Sequence, residues 1–198
     1  MGRCLAIIIM GVSGAGKSTV GELLAAALCC PFYDADSYHS EENKEKMRSG
    51  VPLTDEDRMP WLTRLRDLLV DQLLKGTCVV LACSALCPKY RDILRSAGSQ
   101  FTSHRLKNGM YNNLTTTVQA GDSSCSPIVF VHLKATAQLL ATHLMAREKT
   151  GTHFMPAVLL QSQIDSLEIG SSETDILETD ASLAPATIVL NIQAQLPI

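Results

Sequence analysis

The stretch Gly11-Val12-Ser13-Gly14-Ala15-Gly16-Lys17-Ser18 decides the fold of this chain. It fits the phosphate-binding loop pattern G-x-x-x-x-G-K-[ST], in which glycines let successive backbone N–H groups face a phosphate. An unbroken apolar run at 5–10 precedes the loop, and apolar residues at helical spacing follow it over 20–28. A buried strand, a glycine-rich loop and a helix are the required setting, which disfavours an ordinary glycine-rich turn.

The loop predicts how a nucleotide is held. Lys17 is expected to neutralise charge on the β- and γ-phosphates of ATP, and the Ser18 hydroxyl to hold Mg²⁺. The residues expected to contact the nucleotide are Gly11, Val12, Ser13, Gly14, Ala15, Gly16, Lys17, Ser18 and Thr19.

Length and composition narrow the class of protein. The 198 residues, with 46% hydrophobic and 19% charged side chains, are typical of one globular domain. A net charge of −3 argues against binding nucleic acid through a broad basic face. No apolar stretch of the sequence is long enough to span a membrane. The seven cysteines include no CxxC pair, so we expect buried thiols, a reducing compartment and a cytoplasmic location.

Strand-like and helix-like segments alternate through the rest of the chain. Strands are predicted at 31–34, 77–83, 127–133 and 175–179, and helices at 40–48, 54–76, 88–95, 135–146, 156–167 and 185–196. A strand over 187–190 is the alternative to the last helix. Residues 97–126, rich in small polar side chains, are expected to form an inserted flexible loop. The alternation predicts a single α/β domain over 1–198: a three-layer α/β/α P-loop NTPase fold with a five-stranded parallel sheet.

Two carboxylates directly follow the second predicted strand. Asp34 and Asp36 should therefore lie at the carboxyl edge of the sheet, beside the phosphate loop. One could face the water shell of a metal ion while the other faces an acceptor hydroxyl. A polar loop or a helix cap explains the pair equally well.

Four further blocks of sequence carry a more specific signal. They are FYDADSYH at 32–39 with 42–43 and 46–47, GVPLTDEDRMPWL at 50–62, LACSAL at 81–86 with YRDIL at 90–94, and HFMP at 153–156 with LLQSQ at 159–163 and 167–168. In this order, and with the phosphate loop, they resemble the gluconokinases of the P-loop type over most of 5–96 and 127–168. The resemblance implies transfer of phosphate from ATP to D-gluconate, giving 6-phosphogluconate for the pentose phosphate pathway, and a homodimer.

The acceptor pocket can be assigned on that basis. Asp36 would orient or deprotonate the attacking hydroxyl and, with His39, bind the hydroxyls of gluconate. Arg58 and Arg91 offer planar forks suited to its carboxylate. Alternatively, Arg58 pairs with Asp55 three residues earlier and Arg91 lies on a solvated helix face. Ser84 could contact the acceptor or cap the next turn.

The same resemblance places a lid over 147–157. Arg147 would stabilise the transferring phosphoryl group, and His153 would fold over the acceptor. The chain departs from the family by carrying His143 where an arginine is common, which leaves more of this task to Arg147. There is no aspartate directly after 79–82, and related shikimate kinases use the carboxylate after strand two, so Asp34 is the second metal candidate.

Two other readings remain. A shikimate kinase or another small-metabolite kinase would share the fold, although shikimate kinases have a glycine-rich run where this chain has residues 82–86. A non-catalytic regulatory protein that binds a nucleotide is the other alternative. The acceptor-like half-site and the lack of a guanine-reading N-K-x-D motif argue against it.

Overall fold

The chain folds around a parallel sheet. The computed structural model describes residues 4–107, 126–149 and 158–197, with the backbone alone for 145–149 and 158–159. Its sheet has five strands in the order β2-β3-β1-β4-β5, all parallel. The strands are β1 (Ala6–Met10), β2 (Phe32–Asp34), β3 (Val79–Ala82), β4 (Ile128–Lys134) and β5 (Ile176–Asp180). The predicted α/β fold with a five-stranded parallel sheet is therefore confirmed.

The helices cover both faces of this sheet. They are α1 (Lys17–Ala27), α2 (Glu41–Arg48), α3 (Asp55–Leu74), α4 (Pro88–Lys107), α5 (Ala137–Lys149), α6 (Val158–Asp165) and α7 (Pro185–Gln193), with a short 3₁₀ helix at Ala35–Tyr38. The predicted helix over 185–196 is confirmed in its main part, and the alternative strand at 187–190 is wrong.

The central strand explains why its sequence is apolar without a break. All five residues of β1 have no solvent exposure. Ile7 and Ile9 pack into one core cluster with α1 and α7, whereas Ile8 and Met10 pack into a second cluster with α3 and α4. A strand buried on both faces loses the polar alternation of a half-exposed strand.

Helix α3 begins where the sequence predicts. The Thr54 side chain accepts a hydrogen bond from the Asp57 N–H at 3.3 Å, and the Asp57 carboxylate accepts from the Thr54 N–H at 3.0 Å. This reciprocal capping box satisfies two N–H groups that the helix cannot pair internally. The helix ends at Leu74, and Gly76, with φ of 76°, turns the chain toward β3.

Helix α4 is longer than the sequence suggests. The prediction of a helix over 88–95 followed by a loop from 97 is wrong for residues 97–107, because α4 continues to Lys107. Leu94, Ala97 and Phe101 extend one apolar face into the second core cluster. Gly98 lets the helix pass close over β4, because a Cβ atom there would lie 3.0 Å from Pro127. Residues 108–125, the rest of the expected loop, lie outside the described residues.

Candidate active site

The phosphate loop joins β1 to α1 at the carboxyl edge of the sheet. Gly16, which precedes the first residue of α1, has a φ of 92° that other residues rarely adopt. At Gly14 a Cβ atom would lie 3.3 Å from the Leu140 carbonyl oxygen, because α5 packs closely on the loop. The loop is therefore built from glycine for both backbone angle and space.

Lys17 folds back across this loop. Its Nζ donates a hydrogen bond to the Val12 carbonyl oxygen at 3.0 Å. The side chain is half-buried and faces two adjoining cavities. The ammonium group is thus held where the two cavities adjoin.

The two residues expected at a metal ion lie in contact. The Ser18 hydroxyl donates to Oδ2 of Asp34 at 2.7 Å, and Oδ1 of Asp34 accepts from the Asp36 N–H at 3.0 Å. A hydroxyl and a carboxylate oxygen are hard ligands that suit Mg²⁺, which takes few protein ligands and keeps water and phosphate oxygens for the rest. Within the described parts of the chain, no group of three or more His, Cys, Asp or Glu side chains is placed to form a fuller protein cage.

Two cavities meet at the end of the phosphate loop. The smaller is lined by Gly14, Gly16, Ser18 and Asp34. The larger opens on the other side, and Ser13, Lys17 and Asp36 line both. Five of the residues predicted for catalysis or acceptor binding line the larger cavity: Lys17, Asp36, His39, Arg58 and Ser84. It is also lined by Met47, Pro52, Leu53, Trp61, Leu86, Cys87, Tyr90, Ser162, Gln163 and Ser166.

Asp36 stands at the wall shared by the two cavities. Surrounding protein displaces water from its carboxyl group and raises the pKa, although the residue remains accessible through the cavity. The nearby ammonium group of Lys17 lowers the pKa, and the charge of Asp34 raises it. A carboxylate with a raised pKa accepts a proton more readily than an ordinary aspartate does.

His39 forms an aromatic wall of the larger cavity with Trp61. The two rings stack with centroids 4.2 Å apart and planes 16° apart. Burial, together with the positive charges of Arg58 and Lys44, lowers the pKa of His39 to about 4, so the ring is neutral near pH 7. Its Nδ1 is buried and has no hydrogen-bond partner among the described residues. A buried polar atom without a hydrogen-bond partner is rare in folded proteins.

Arg58 reaches the cavity from α3 and is steadied by Tyr90. Its guanidinium donates to the Tyr90 hydroxyl at 3.1 Å and lies over the ring at 5.5 Å from the centroid. Tyr90 in turn donates to Oδ1 of Asp55 at 2.6 Å, and Lys89 binds the other oxygen of that carboxylate. The alternative to substrate binding, a direct pair between Arg58 and Asp55, is therefore not what the described contacts give: the Tyr90 hydroxyl lies between the two.

Arg91 does not line the cavity, contrary to expectation. Its guanidinium has no solvent exposure, and all five N–H groups donate hydrogen bonds. Two go to the Glu173 carboxylate at 2.6 and 2.7 Å, and three to the carbonyl oxygens of Ala85, Leu86 and Glu168. The assignment of Arg91 to the substrate carboxylate is thus corrected, because no donor is left over for a ligand.

Instead, Arg91 stabilises a backbone turn that adjoins the larger cavity. Ala85, whose carbonyl oxygen it binds at 2.7 Å, has a positive φ of 44° that is costly for a residue other than glycine. Ser84, the preceding residue, lines the cavity, and its carbonyl oxygen accepts from the Gly11 N–H at 3.2 Å. Hence Arg91 supports the turn that presents Ser84 beside the phosphate loop.

The predicted lid is only partly described. Residues 147–149 form the end of α5, so the helix extends into the expected lid. The Arg147 side chain and all of His153 lie outside the described residues. His143 lies one turn before Arg147 on α5, and its Nδ1 is 2.8 Å from the Gly14 carbonyl oxygen. A carbonyl oxygen can only accept, so this nitrogen carries the proton.

Among the polar residues of the larger cavity that sequence reasoning missed are Tyr90 and Gln163. Both fall in the blocks YRDIL and LLQSQ that carry the family resemblance, which was the available signal. Their contacts join distant segments, Tyr90 to Asp55 and Gln163 to Ser13, and no local pattern reveals such pairs.

Known proteins are similar to this chain in sequence and in fold. The family model described as shikimate kinase matches residues 13–103. A gluconokinase of Arabidopsis thaliana is 45% identical over 186 residues, which cover 94% of this chain and 89% of that protein.

Two solved structures are also similar. One, a gluconokinase from Sinorhizobium meliloti, has a TM-score of 0.71 at 34% identity and covers 98% of this chain and 92% of its own. The other is an unliganded sugar kinase from Janibacter, with a TM-score of 0.76 at 31% identity, covering 96% and 93%.

Proposed function

Because the chain belongs to the gluconokinase family, we propose that it transfers the γ-phosphoryl group of ATP to D-gluconate, forming ADP and 6-phospho-D-gluconate. One observation carries the proposal: Ser13, Lys17 and Asp36 line both the phosphate-loop cavity and the larger cavity beside it. A kinase needs this arrangement, since the transferred group must pass from a nucleotide to an acceptor in line.

The nucleotide binds at residues 11–19. The N–H groups of the glycine-rich loop and the N-terminus of α1 face the phosphates, where their partial positive charges are favourable. Lys17 exchanges its bond to the Val12 carbonyl oxygen for phosphate oxygens. Its charge then offsets the negative charge that develops on the transferring group.

Ser18 and Asp34 would hold Mg²⁺, Ser18 by its hydroxyl and Asp34 by way of the water molecules around the ion. Their contact at 2.7 Å supports this assignment, because it brings two hard oxygen ligands together at the mouth of the loop. When bound, the ion would offset the negative charge of the phosphate groups.

Gluconate, a polyol carboxylate, occupies the larger cavity. Arg58 binds its carboxylate, since the guanidinium is planar, half-buried and already oriented by Tyr90. His39 and the Ser84 hydroxyl, which line the cavity, bind hydroxyl groups of the sugar acid. The stacked ring of Trp61 gives the cavity an apolar floor that positions the carbon chain.

Asp36 acts on the reacting hydroxyl. The hydroxyl oxygen forms a bond to the γ-phosphorus, the bond to the β–γ bridging oxygen breaks, and Asp36 accepts the hydroxyl proton. Its raised pKa supports this role. Arg147 and His153 stay predictions for the closing lid, with Arg147 on the transferring phosphoryl group and His153 over gluconate.

A coupled assay of ADP release tests the proposal. Purified protein with ATP and Mg²⁺ is offered D-gluconate, shikimate or a nucleoside monophosphate in separate reactions. We expect ADP release with gluconate at least about 100-fold faster than with the others, since a site built to pair a substrate's polar groups rejects analogues that lack them. Release only with shikimate, with a nucleotide or with no acceptor would overturn the assignment.

The assembly and location expected from the resemblance are a homodimer in the cytoplasm. Light scattering coupled to size-exclusion chromatography tests the first, and a fluorescent fusion the second. Among the described helices, none combines the length and apolar character that crossing a membrane requires.

A further inference from the structure

Helix α6 reaches across the larger cavity to the phosphate loop. Oε1 of Gln163 accepts a hydrogen bond from the Ser13 N–H at 2.6 Å. Ser13 belongs to the loop whose N–H groups face phosphate in the proposed function. A side chain 150 residues away in sequence thus occupies a group that the nucleotide needs.

The helix that carries Gln163 is firmly docked. Leu160, Ile164 and Leu167 pack against the first core cluster. Just beyond α6, the Ser166 carbonyl oxygen accepts from the Cys87 thiol, and the Glu168 N–H donates to the Leu86 carbonyl oxygen at 3.0 Å. The contact between Gln163 and Ser13 therefore arises from a fixed helix.

Gln163 faces the acceptor as well as the loop. With Ser162 and Ser166 it lines the larger cavity opposite Asp36 and His39. Its carboxamide has one oxygen that accepts and two N–H groups that donate, so it can serve a phosphate loop and a polyol in turn. A backbone N–H has a single hydrogen to donate, so a phosphate oxygen and Oε1 of Gln163 compete for Ser13.

We propose that Gln163 couples the binding of the two substrates. Without a nucleotide, Oε1 of its amide accepts the hydrogen bond of the Ser13 N–H. When a phosphate oxygen takes that N–H, the amide is released toward the acceptor and binds a hydroxyl of the polyol carboxylate. The proposal rests on the proposed function, in that ATP binds the loop and gluconate the larger cavity. Gln163 is thereby a specificity-determining residue of the acceptor site that is available only once nucleotide is bound.

Two effects follow from this competition. Removing the amide frees Ser13, so Gln163→Ala should bind a non-hydrolysable ATP analogue about threefold to tenfold more tightly than the unmodified protein. Coupling is reciprocal, so the gain in gluconate affinity on adding the analogue should fall toward onefold in the variant. A residue with only a structural role would weaken nucleotide binding or leave it unchanged.

Isothermal titration calorimetry separates these outcomes. The analogue with Mg²⁺ is titrated alone, and gluconate is then titrated with and without the analogue. Gln163→Asn is a second variant, because it keeps an amide but is one methylene too short to reach Ser13, and it should behave like Gln163→Ala. The control is Gln161→Ala on the same helix, whose exposed amide donates to Asp165 at 2.7 Å. It should leave both affinities unchanged.

The proposal is wrong if both Gln163 variants bind the ATP analogue as tightly as the unmodified protein does, or more weakly. The titration of the analogue alone requires no gluconate. If gluconate binds none of the proteins while the analogue binds the variants more tightly, the competition at Ser13 stands and the proposed acceptor is wrong.

Discussion

The imidazole of His39 lies flat against the indole of Trp61, with ring centroids 4.2 Å apart. Trp61 is itself fixed, because its Nε1–H donates to the Ala35 carbonyl oxygen at 2.7 Å. The pair joins the turn after β2 to helix α3 beside Asp36. The position of one aromatic ring in α3 therefore sets the position of the groups that follow β2, including the proposed base.

The first prediction concerns the pH dependence of stability. The folded-state pKa of His39, about 4, is below its ordinary value of 6.5, so the unfolded chain takes up this proton first as pH falls. The contribution of neutral His39 to the free energy of unfolding is complete above pH 6.5 and is lost progressively as pH falls toward 4.

The variant His39→Phe tests this prediction, because it keeps the aromatic stack but cannot titrate. Between pH 7 and pH 5 the unmodified protein should lose up to about 2 kcal/mol more unfolding free energy than this variant, measured by urea denaturation. Equal losses in both proteins would contradict the lowered pKa, and the interval from pH 7 to pH 8, where His39 stays neutral, is the control.

The second prediction concerns Lys17. Lys17→Ala should reduce ADP release in the presence of gluconate by at least about 1,000-fold, because it removes the positive charge at the wall between the two cavities. The melting temperature should stay close to that of the unmodified protein, since the side chain is half-buried and outside the core. Lys75→Ala, which removes an exposed partner of Asp71, is the matched control and should be fully active. Near-normal turnover in Lys17→Ala would refute the site assignment.

The third prediction concerns Asp36. Asp36→Asn should lower turnover by about 100-fold or more while changing ATP affinity less than about threefold, because the amide cannot accept the hydroxyl proton. Measurement of kcat and of nucleotide affinity checks both. Equal activity in the two proteins would remove Asp36 from the mechanism.

The fourth prediction separates two arginines. Arg91→Ala leaves the buried Glu173 carboxylate, which is 8% exposed, without its main partner and should cost about 3–5 kcal/mol of unfolding free energy. Arg58→Ala should cost less than about 1 kcal/mol but raise the KM for gluconate at least about tenfold, because a charged carboxylate loses its partner. Thermal unfolding and steady-state kinetics distinguish the two. A stable Arg91→Ala protein with a raised KM alone would restore Arg91 to the substrate site.

The fifth prediction concerns Tyr90, a positioning residue. Tyr90→Phe keeps the ring under Arg58 but removes the hydroxyl that links Arg58 to Asp55. The KM for gluconate should rise about threefold to tenfold with kcat nearly unchanged, since substrate and transition state use the same carboxylate contact. A fall in kcat at constant KM would mean that Tyr90 acts on the chemical step instead.

Local patterns predicted those parts of the molecule that neighbouring residues determine. The phosphate loop, the capping box of α3 and the five strands depend on residues within a few positions of each other. The partner of Arg91 is Glu173, 82 positions away, so an arginine near the start of a helix could not be told from a solvated one by spacing. The end of α4 was missed because residues 97–126 are rich in small polar side chains, which favour a loop, whereas Gly98 lies in the helix and a Cβ atom there would be 3.0 Å from Pro127. The partner of Gln163, the Ser13 N–H, is a main-chain group that no side-chain pattern marks.

Two arginines and two carboxylates behind the site form a network of ion pairs that limits which substitutions the chain tolerates. Arg91 and Arg95 of α4 bind Glu173, and Arg95 also binds Asp175 at the entrance to the edge strand β5. Paired with these arginines, the Glu173 carboxylate has its pKa lowered to about 2. A single charge reversal in this group leaves a buried charge without its partner, and an exchange of all four charges would set a carboxylate against the three carbonyl oxygens that Arg91 binds. These four residues therefore constrain one another. A chimaera that takes β5 and the residues before it, or α4, from a relative will be tolerated only when both segments come from the same relative.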